Sequence, residues 1–249
     1  MLEQLNEAVS LTKPVAVLFD IDDTLYEYKS ANEAAGRMLS EEVESFLQIP
    51  ASDYDHAYSQ ARQDVKSRLA NTASGHSRLL YIQRSLELLG FKSKPSLSLY
   101  LEDVYWRAYF KEATLFPGVL EVLKLLRARS IYIGIVSDLT ARLQLQKLVH
   151  FNIGPYFDVV VTSEETGVDK PDKSNFELAL NKLQLHTESG QIWMIGDDDE
   201  CDVLGGKTIG AVTFQKICEG VEPGQGKASP DFAFDDFRSL SKLIETVEE

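Results

Sequence analysis

The sequence contains little cysteine and little histidine, and both absences narrow the classes of protein it can represent. Cys201 and Cys218 are the two cysteines among 249 residues. They lack CxxC spacing, and a disulfide-stabilised fold of this length would carry more cysteines. The four histidines show no zinc-ligand spacing. We therefore expect neither a disulfide framework nor a zinc centre of a common type.

Long apolar runs and an excess of positive charge are also missing. No run reaches the roughly 18 apolar residues of a membrane-spanning helix, and the acidic N-terminal segment does not resemble a secretory signal peptide. Acidic residues number 39 against 25 basic ones, and the net charge of −14 argues against a nucleic-acid or anionic-membrane partner. We expect a soluble, cytoplasmic protein with no nucleic-acid partner and no membrane partner.

Short apolar runs without polar alternation are present, and they are typical of strands buried on both faces. They cover residues 15–19, 131–136, 159–162, 192–195 and 211–214, with a weaker run at 232–234. Apolar residues at helical spacing lie just before the second run, such as Val119 and Val122, and between later runs, such as Phe176 and Leu180. This alternation predicts an α/β fold built on a doubly wound parallel sheet. Chemistry in such sheets collects at the carboxyl ends of the strands.

A long interval without a strand-like run follows the first strand. It extends over residues 26–112, which is too long for a loop without structure of its own. Apolar residues at helical spacing recur within it, as at Leu101 and Val104. The sequence therefore predicts an α/β core of residues 1–25 and 113–249, into which an α-helical cap of residues 26–112 is inserted.

Two carboxylates stand at the end of the first strand-like run. Asp20 and Asp22 are two residues apart, so an extended chain points both to the same side, and Thr24 follows. Like charges this close repel each other, and a cation or a proton must offset them. A nucleophilic role for one of these carboxylates would indicate phosphoryl transfer through an aspartyl intermediate.

Three further strand ends carry polar residues. The second strand ends in Ser137 and Asp138, the loop after the third carries Lys170, and the fourth is followed by Asp197 and Asp202. A single acidic strand end is usually a turn or a helix cap. Four polar strand ends in order along one sheet edge instead indicate a functional site.

These four segments together resemble the motifs of the haloacid dehalogenase superfamily. The resemblance is to its phosphatase branch of the subfamily I type, in which a helical cap is inserted after the first strand of a Rossmann-like core. The matching residues are, in motif order, Asp20–Thr24 (D-x-D-x-T), Ser137, Lys170-Pro171, and Asp197 with Asp202. The resemblance covers about residues 13–243.

The resemblance implies a Mg²⁺-dependent phosphatase that hydrolyses a small phosphorylated metabolite through an aspartyl-phosphate. In the family pattern, Asp20 attacks phosphorus, and Asp22 protonates the leaving alcohol and then activates water. The metal ligands would be Asp20, the backbone carbonyl of Asp22, and Asp197. An acid at position 22 also argues against dehalogenation, because a halide leaves without a proton.

Other residues have supporting roles under the same resemblance. Ser137 and Lys170 would bind and neutralise the transferred group, where charge spreads in the transition state. Asp202 would orient Lys170 or a metal-bound water. Thr24 and Asp138 are expected to support the site from the ends of the first and second strands.

Two other functions stay open at this point. A sugar phosphomutase of the same family uses the same pair of acids, and a non-catalytic binding protein could have the same scaffold, although four intact motifs favour catalysis. In the cap, His76 and Arg78 are either substrate-specificity residues or part of a polar turn that caps the next helix. The identity of the substrate and the oligomeric state are left open.

Overall fold

The structure is a computed structural model that describes residues 1–186, 189–218 and 221–248. In it, the six strand-like runs and a short strand near the N-terminus form one seven-stranded sheet. The strands are β1 (Leu2–Gln4), β2 (Ala16–Phe19), β3 (Tyr132–Ser137), β4 (Val159–Thr162), β5 (Ile192–Gly196), β6 (Val212–Lys216) and β7 (Phe232–Phe234). Their order across the sheet is β1-β7-β6-β5-β2-β3-β4. Every neighbouring pair is parallel except β1 and β7. The predicted α/β fold with a mainly parallel sheet is confirmed.

The strand β2 lies between β3 and β5, so the carboxyl ends of three neighbouring strands meet at one edge. Ala16 of β2 is in register with Tyr132 of β3 and with Ile192 of β5. All four residues of β2 are buried. Because this strand is covered on both faces, its sequence is a continuous apolar run rather than an alternating one. The acidic residues that follow β2 therefore lie beside those that follow β5.

The edge strand β1 differs from the prediction of a wholly parallel sheet. It is three residues long and largely exposed, and it pairs antiparallel with β7, with Leu2 opposite Phe234. A short edge strand that faces solvent carries no apolar run, so the pattern of these residues did not indicate a strand. The sheet is thus mixed at this one edge.

The chain divides into two units, Met1–Glu27 with Thr114–Glu249, and Tyr28–Ala113. The second unit contains the helices α1 (Tyr28–Leu47), α2 (Ala51–Arg68), α3 (Arg78–Leu88) and α4 (Pro95–Glu112). In it, α1 packs against α4 and α2 packs against α3. The Ser77 hydroxyl caps α3 by accepting a hydrogen bond from the Leu80 N–H at 3.3 Å.

The helices of the α/β unit cover the sheet. They are α5 (Val119–Ala128), α6 (Ala141–His150), α7 (Ser163–Thr166), α8 (Lys173–Lys182), α9 (Leu204–Thr208) and α10 (Phe237–Thr246). Leu18 of β2 and Met194 of β5 share an apolar cluster with Phe176 of α8. Val17 and Trp193 point to the other face of the sheet and are fully buried as well. No helix in the described part of the chain has the length and apolar character needed to cross a bilayer.

Candidate active site

Lys170 joins two carboxylates at the carboxyl edge of the sheet. Its Nζ donates to Asp20 Oδ1 and to Asp202 Oδ1, both at 2.7 Å. Asp20 directly follows β2, and its backbone N–H bonds the Ile195 carbonyl of β5 at 3.0 Å. The three charged side chains are at most 8% exposed. Two buried carboxylates therefore share one ammonium group, which leaves negative charge without full compensation.

Asp197, which follows β5, adds a third carboxylate. One oxygen from each of Asp20, Asp197 and Asp202 lies within 4.8 Å of the other two, and Thr24 Oγ1 donates to Asp197 Oδ1 at 3.1 Å. Burial, and then the charges of Asp202 and Asp20, raise the pKa of Asp197. Burial also raises the pKa of Asp202, although Lys170 opposes that rise. A cation would offset the cost of ionising all three acids together.

The chemistry of this acidic cluster fits a magnesium ion. Mg²⁺ prefers hard oxygen ligands and is usually held by a few carboxylates, and Asp20, Asp197 and Asp202 offer carboxylate oxygens alone. Asp20 and Asp197 also belong to the predicted ligand set. The third predicted ligand, Asp22, was expected to bind through its backbone carbonyl, and its side chain is not part of the cluster.

Asp202 is held by the turn that follows β5. Its N–H bonds the Asp198 carbonyl at 2.8 Å, and the Asp198 N–H bonds Asp202 Oδ2 at 3.2 Å. A Cβ at Gly196 would overlap the Asp202 carboxylate. The last residue of β5 is therefore a glycine because the carboxylate that contacts Lys170 occupies the space of a side chain.

The carboxylate of Asp22 contacts a different lysine from the one that contacts Asp20. Lys147 Nζ donates to both Asp22 carboxylate oxygens, at 2.6 and 2.7 Å. The Tyr26 hydroxyl also donates to Asp22, and Gln144 Nε2 lies 3.4 Å from Asp22 Oδ2. Burial raises the pKa of Asp22, but Lys147 and the two other donors outweigh it, so this pKa lies below its ordinary value. Asp20 and Asp22 of the first motif thus contact different lysines.

Lys147 and Gln144 are site residues that the sequence analysis missed. They lie three residues apart on α6, and both side chains are buried. Leu145 and Val149 of the same helix are 49% and 77% exposed. Leu148 is buried as well, so the inward face of α6 combines two polar side chains with an apolar one. Because apolar residues lie on both faces of this helix, its sequence pattern did not show which face points inward, and the roles of Gln144 and Lys147 could not be recognised from it.

Gln144 also connects to the end of β3. Its Nε2 donates to Ser137 Oγ at 2.8 Å and to the Asp138 carbonyl at 2.6 Å. Because Ser137 Oγ accepts this bond, its own hydroxyl proton can point to another acceptor. Asp138 Oδ1 accepts the backbone N–H of Lys170 at 2.9 Å, and burial raises the pKa of Asp138 to about 6 against the opposing charge of Lys170.

His76 and Arg78 lie in the helical unit. Arg78 is 7% exposed, and its Nη1 donates to the His76 carbonyl at 2.7 Å. The guanidinium also donates to the hydroxyls of Tyr28 and Tyr105. Four aromatic rings lie 5.7–5.8 Å from its central carbon, those of Tyr28, Tyr81, Tyr105 and Trp106. Arg78 is therefore an interior residue of its unit, and a role in specificity remains a prediction for both residues.

Comparison with known proteins agrees with this geometry. The model of a family described as haloacid dehalogenase-like hydrolase matches residues 15–210. The chain is 37% identical to a ribulose-1,5-bisphosphate 5-phosphatase of Halopiger xanaduensis over 241 residues, which covers 92% of this chain and 98% of that protein. It is 31% identical to a glyceraldehyde 3-phosphate phosphatase of Methanopyrus kandleri, over 92% of this chain and 96% of that protein.

Solved structures agree on the fold. A phosphatase structure from Thermococcus onnurineus superposes on this chain with a TM-score of 0.68 at 23% identity. The superposition covers 94% of this chain and 98% of the Thermococcus chain. A 2-haloacid dehalogenase from Pseudomonas syringae pv. Tomato gives a TM-score of 0.70 at 20% identity, over 93% and 98% of the two chains. At these identities the likeness concerns the fold.

Proposed function

This chain belongs to the haloacid dehalogenase-like hydrolases, and we propose that it is a Mg²⁺-dependent phosphatase that cleaves a small phosphorylated metabolite through a phosphoryl group held on Asp20. The contact of Lys170 with Asp20 and Asp202, beside Asp197, carries the proposal. That contact combines a nucleophile, a cation for the transferred group and oxygen ligands for a metal. The helical insertion agrees with a cap of the subfamily I type.

Asp20 and Asp22 divide the chemistry between them in this proposal. Asp20 attacks phosphorus, and the bond from phosphorus to the alcohol oxygen breaks as Asp22 gives that oxygen a proton. A water molecule then attacks the phosphorus and passes its proton to Asp22, and Asp20 returns to a carboxylate. The acid at position 22 serves both half-reactions because each transfers one proton.

The other residues of the edge neutralise the phosphoryl group. The Lys170 ammonium contacts Asp20 directly, so it lies where charge develops on the transferred group. The Ser137 hydroxyl, oriented by Gln144, is a hydrogen-bond donor for a phosphate oxygen. Mg²⁺ held by Asp20, Asp197 and Asp202 would supply positive charge that lets a phosphate dianion approach a carboxylate.

A phosphorylated sugar or triose is the substrate class we propose. Two relatives that cover nearly the whole chain, at 37% and 31% identity, are named for ribulose 1,5-bisphosphate and for glyceraldehyde 3-phosphate. Both compounds are phosphate esters of small hydroxylated carbonyl compounds. The relatives' substrates thus share a leaving group, an alcohol oxygen on a sugar carbon, that needs the proton which Asp22 would supply.

The experiment is a phosphate-release assay with Mg²⁺ on four compounds: ribulose 1,5-bisphosphate, glyceraldehyde 3-phosphate, uridine 5′-monophosphate and 4-nitrophenyl phosphate. We expect release from at least one sugar phosphate and from the aryl ester. Asp20→Asn should abolish both activities, because an amide cannot replace the carboxylate nucleophile. Addition of EDTA to the wild type should also stop turnover.

The matched control is Asp236→Asn. Asp236 caps α10, where its side chain accepts the Arg238 N–H at 2.9 Å, and asparagine caps a helix about as well as aspartate does. This variant should keep wild-type activity. Metal-dependent turnover by Asp20→Asn would contradict the proposed mechanism. Isomerised sugar phosphate with little released phosphate would instead indicate a phosphomutase.

A further inference from the structure

We propose that Lys147 is a positioning residue that holds the Asp22 carboxylate ready to take the proton of the attacking water, an inference that rests on the proposed function. Lys147 Nζ contacts both carboxylate oxygens, at 2.6 and 2.7 Å. The lysine side chain is 1% exposed, so its surroundings fix the ammonium in place. An ammonium that contacts both oxygens restrains rotation of the carboxylate, which a single contact would permit.

All the hydrogen bonds described at the Asp22 carboxylate are donated to it. The donors are Lys147 Nζ, the Tyr26 hydroxyl and, at the longer distance of 3.4 Å, Gln144 Nε2. A carboxylate that accepts from every partner is in the form that can receive a proton. Its side chain is still 25% exposed, which leaves room for a water molecule to approach. This arrangement suits the second half-reaction.

The placement of Lys147 is hard to explain by stability alone. A buried ion pair is often no better for stability than apolar residues of similar size, and α6 carries apolar side chains, Leu145 and Val149, that face outward instead. A leucine at position 147 would continue an ordinary apolar face. The burial of a lysine there is explained if its ammonium serves Asp22.

The two lysines of the site serve different acids. Lys170 contacts Asp20 and Asp202, whereas Lys147 contacts Asp22. In the second half-reaction the water oxygen forms a bond to phosphorus, the bond from phosphorus to Asp20 breaks, and the water proton passes to Asp22. Lys147 keeps its own protons throughout. Without Lys147, the acceptor turns away from the water and the phosphoryl group stays on Asp20 for longer.

The test uses Lys147→Met and 4-nitrophenyl phosphate with Mg²⁺ present. Nitrophenolate leaves readily without a proton, so the first half-reaction depends little on Asp22, and kcat/KM should stay within about threefold of the wild type. The second half-reaction should slow, and kcat should fall about 10²-fold. Stopped-flow measurement should show a burst approaching one nitrophenolate per site, larger than in the wild type. Intact-protein mass spectrometry should show the phosphorylated chain.

Two comparisons separate positioning from a general structural defect. Lys182 Nζ contacts Glu165 Oε2 at 2.6 Å on the surface of the same unit, and Lys182→Met should behave as the wild type does. Asp22→Asn should show the same burst as Lys147→Met. Combining Asp22→Asn with Lys147→Met should lower kcat no further, because the two residues act on one proton transfer.

The proposal is overturned if Lys147→Met lowers kcat and kcat/KM equally without a burst, or if it leaves kcat unchanged. If Lys147→Met does not fold, Lys147→Gln is judged by the same criteria, because a neutral amide does not make the charge-assisted contacts of the ammonium. Failure of the proposed function would look different from failure of the Lys147 proposal. In that case the wild type itself would show no Asp20-dependent turnover of 4-nitrophenyl phosphate.

Discussion

Removal of the Lys170 ammonium should destabilise the α/β unit strongly. Lys170→Met leaves Asp20 and Asp202 buried without the cation that contacts both at 2.7 Å. Burial alone would lower the pKa of Lys170, yet the charges of Asp20 and Asp202 raise it well above its ordinary value. The folded site therefore depends on this charge, which a methionine of similar length does not replace.

The expected magnitude follows from the burial of the pair. Breaking a buried ion pair by removing one partner costs about 3–5 kcal/mol. In a chain of this length each kcal/mol shifts the melting temperature by about 2–4 °C, so Lys170→Met should melt about 6–20 °C lower. Lys173 is the matched control, because it is 65% exposed and pairs with Glu177 on the helix surface. Lys173→Met should cost about 0.5 kcal/mol or less.

The assay is thermal unfolding in EDTA, followed by the fluorescence of Trp193, which is buried in the α/β unit. A Trp106→Phe background removes the other tryptophan of the chain. The difference in melting temperature between Lys170→Met and the wild type should shrink as the pH falls toward about pH 5. Protonation of Asp20 and Asp202 then removes the negative charge that Lys170 no longer offsets. A melting temperature of Lys170→Met within about 2 °C of that of Lys173→Met would refute the reasoning. If the loss of melting temperature does not depend on pH, it is caused by lost packing rather than by unpaired charge.

Two more predictions concern the acidic cluster. The pKa values of Asp197 and Asp202 are raised because ionisation of these buried acids is costly in the folded protein. The metal-free protein should therefore lose stability as the pH rises through these pKa values. The gain in melting temperature on adding Mg²⁺ should therefore be larger at about pH 8 than at about pH 5.5, and calorimetry would check it. Gly196→Ala should displace the Asp202 carboxylate and lower kcat about 10²-fold. Gly36→Ala, where a Cβ meets nothing within 4 Å, should leave kcat unchanged in the same assay.

Much of the sheet edge could be predicted because parallel strands present their carboxyl ends together. Asp20 and Asp197 are far apart in sequence, yet each follows a buried apolar run, and β2 and β5 are neighbours. The gathering of Lys170 and Asp202 around them follows from the same geometry. What the sequence pattern did not contain was which lysine contacts which carboxylate, because that depends on side-chain directions within the turns.

The contribution of α6 could not be predicted for a related reason. A lysine on a helix ordinarily points to solvent, and the spacing of Gln144 and Lys147 is compatible with an exposed face. Only the packing of α6 shows that this face is the buried one. The sequence likewise places Arg78 either in a polar turn or among substrate-specificity residues, and neither interpretation includes the aromatic rings, distant in sequence, that enclose it.

The helical segment leaves the α/β unit and returns to it at a single point. The Phe116 N–H bonds the Leu25 carbonyl at 2.9 Å, and Tyr26 forms a bridge with Leu115. An insertion whose two ends are already adjacent imposes little closure cost on its host, whatever its length. A different set of helices could therefore be grafted between these residues while the strands of the sheet keep their register.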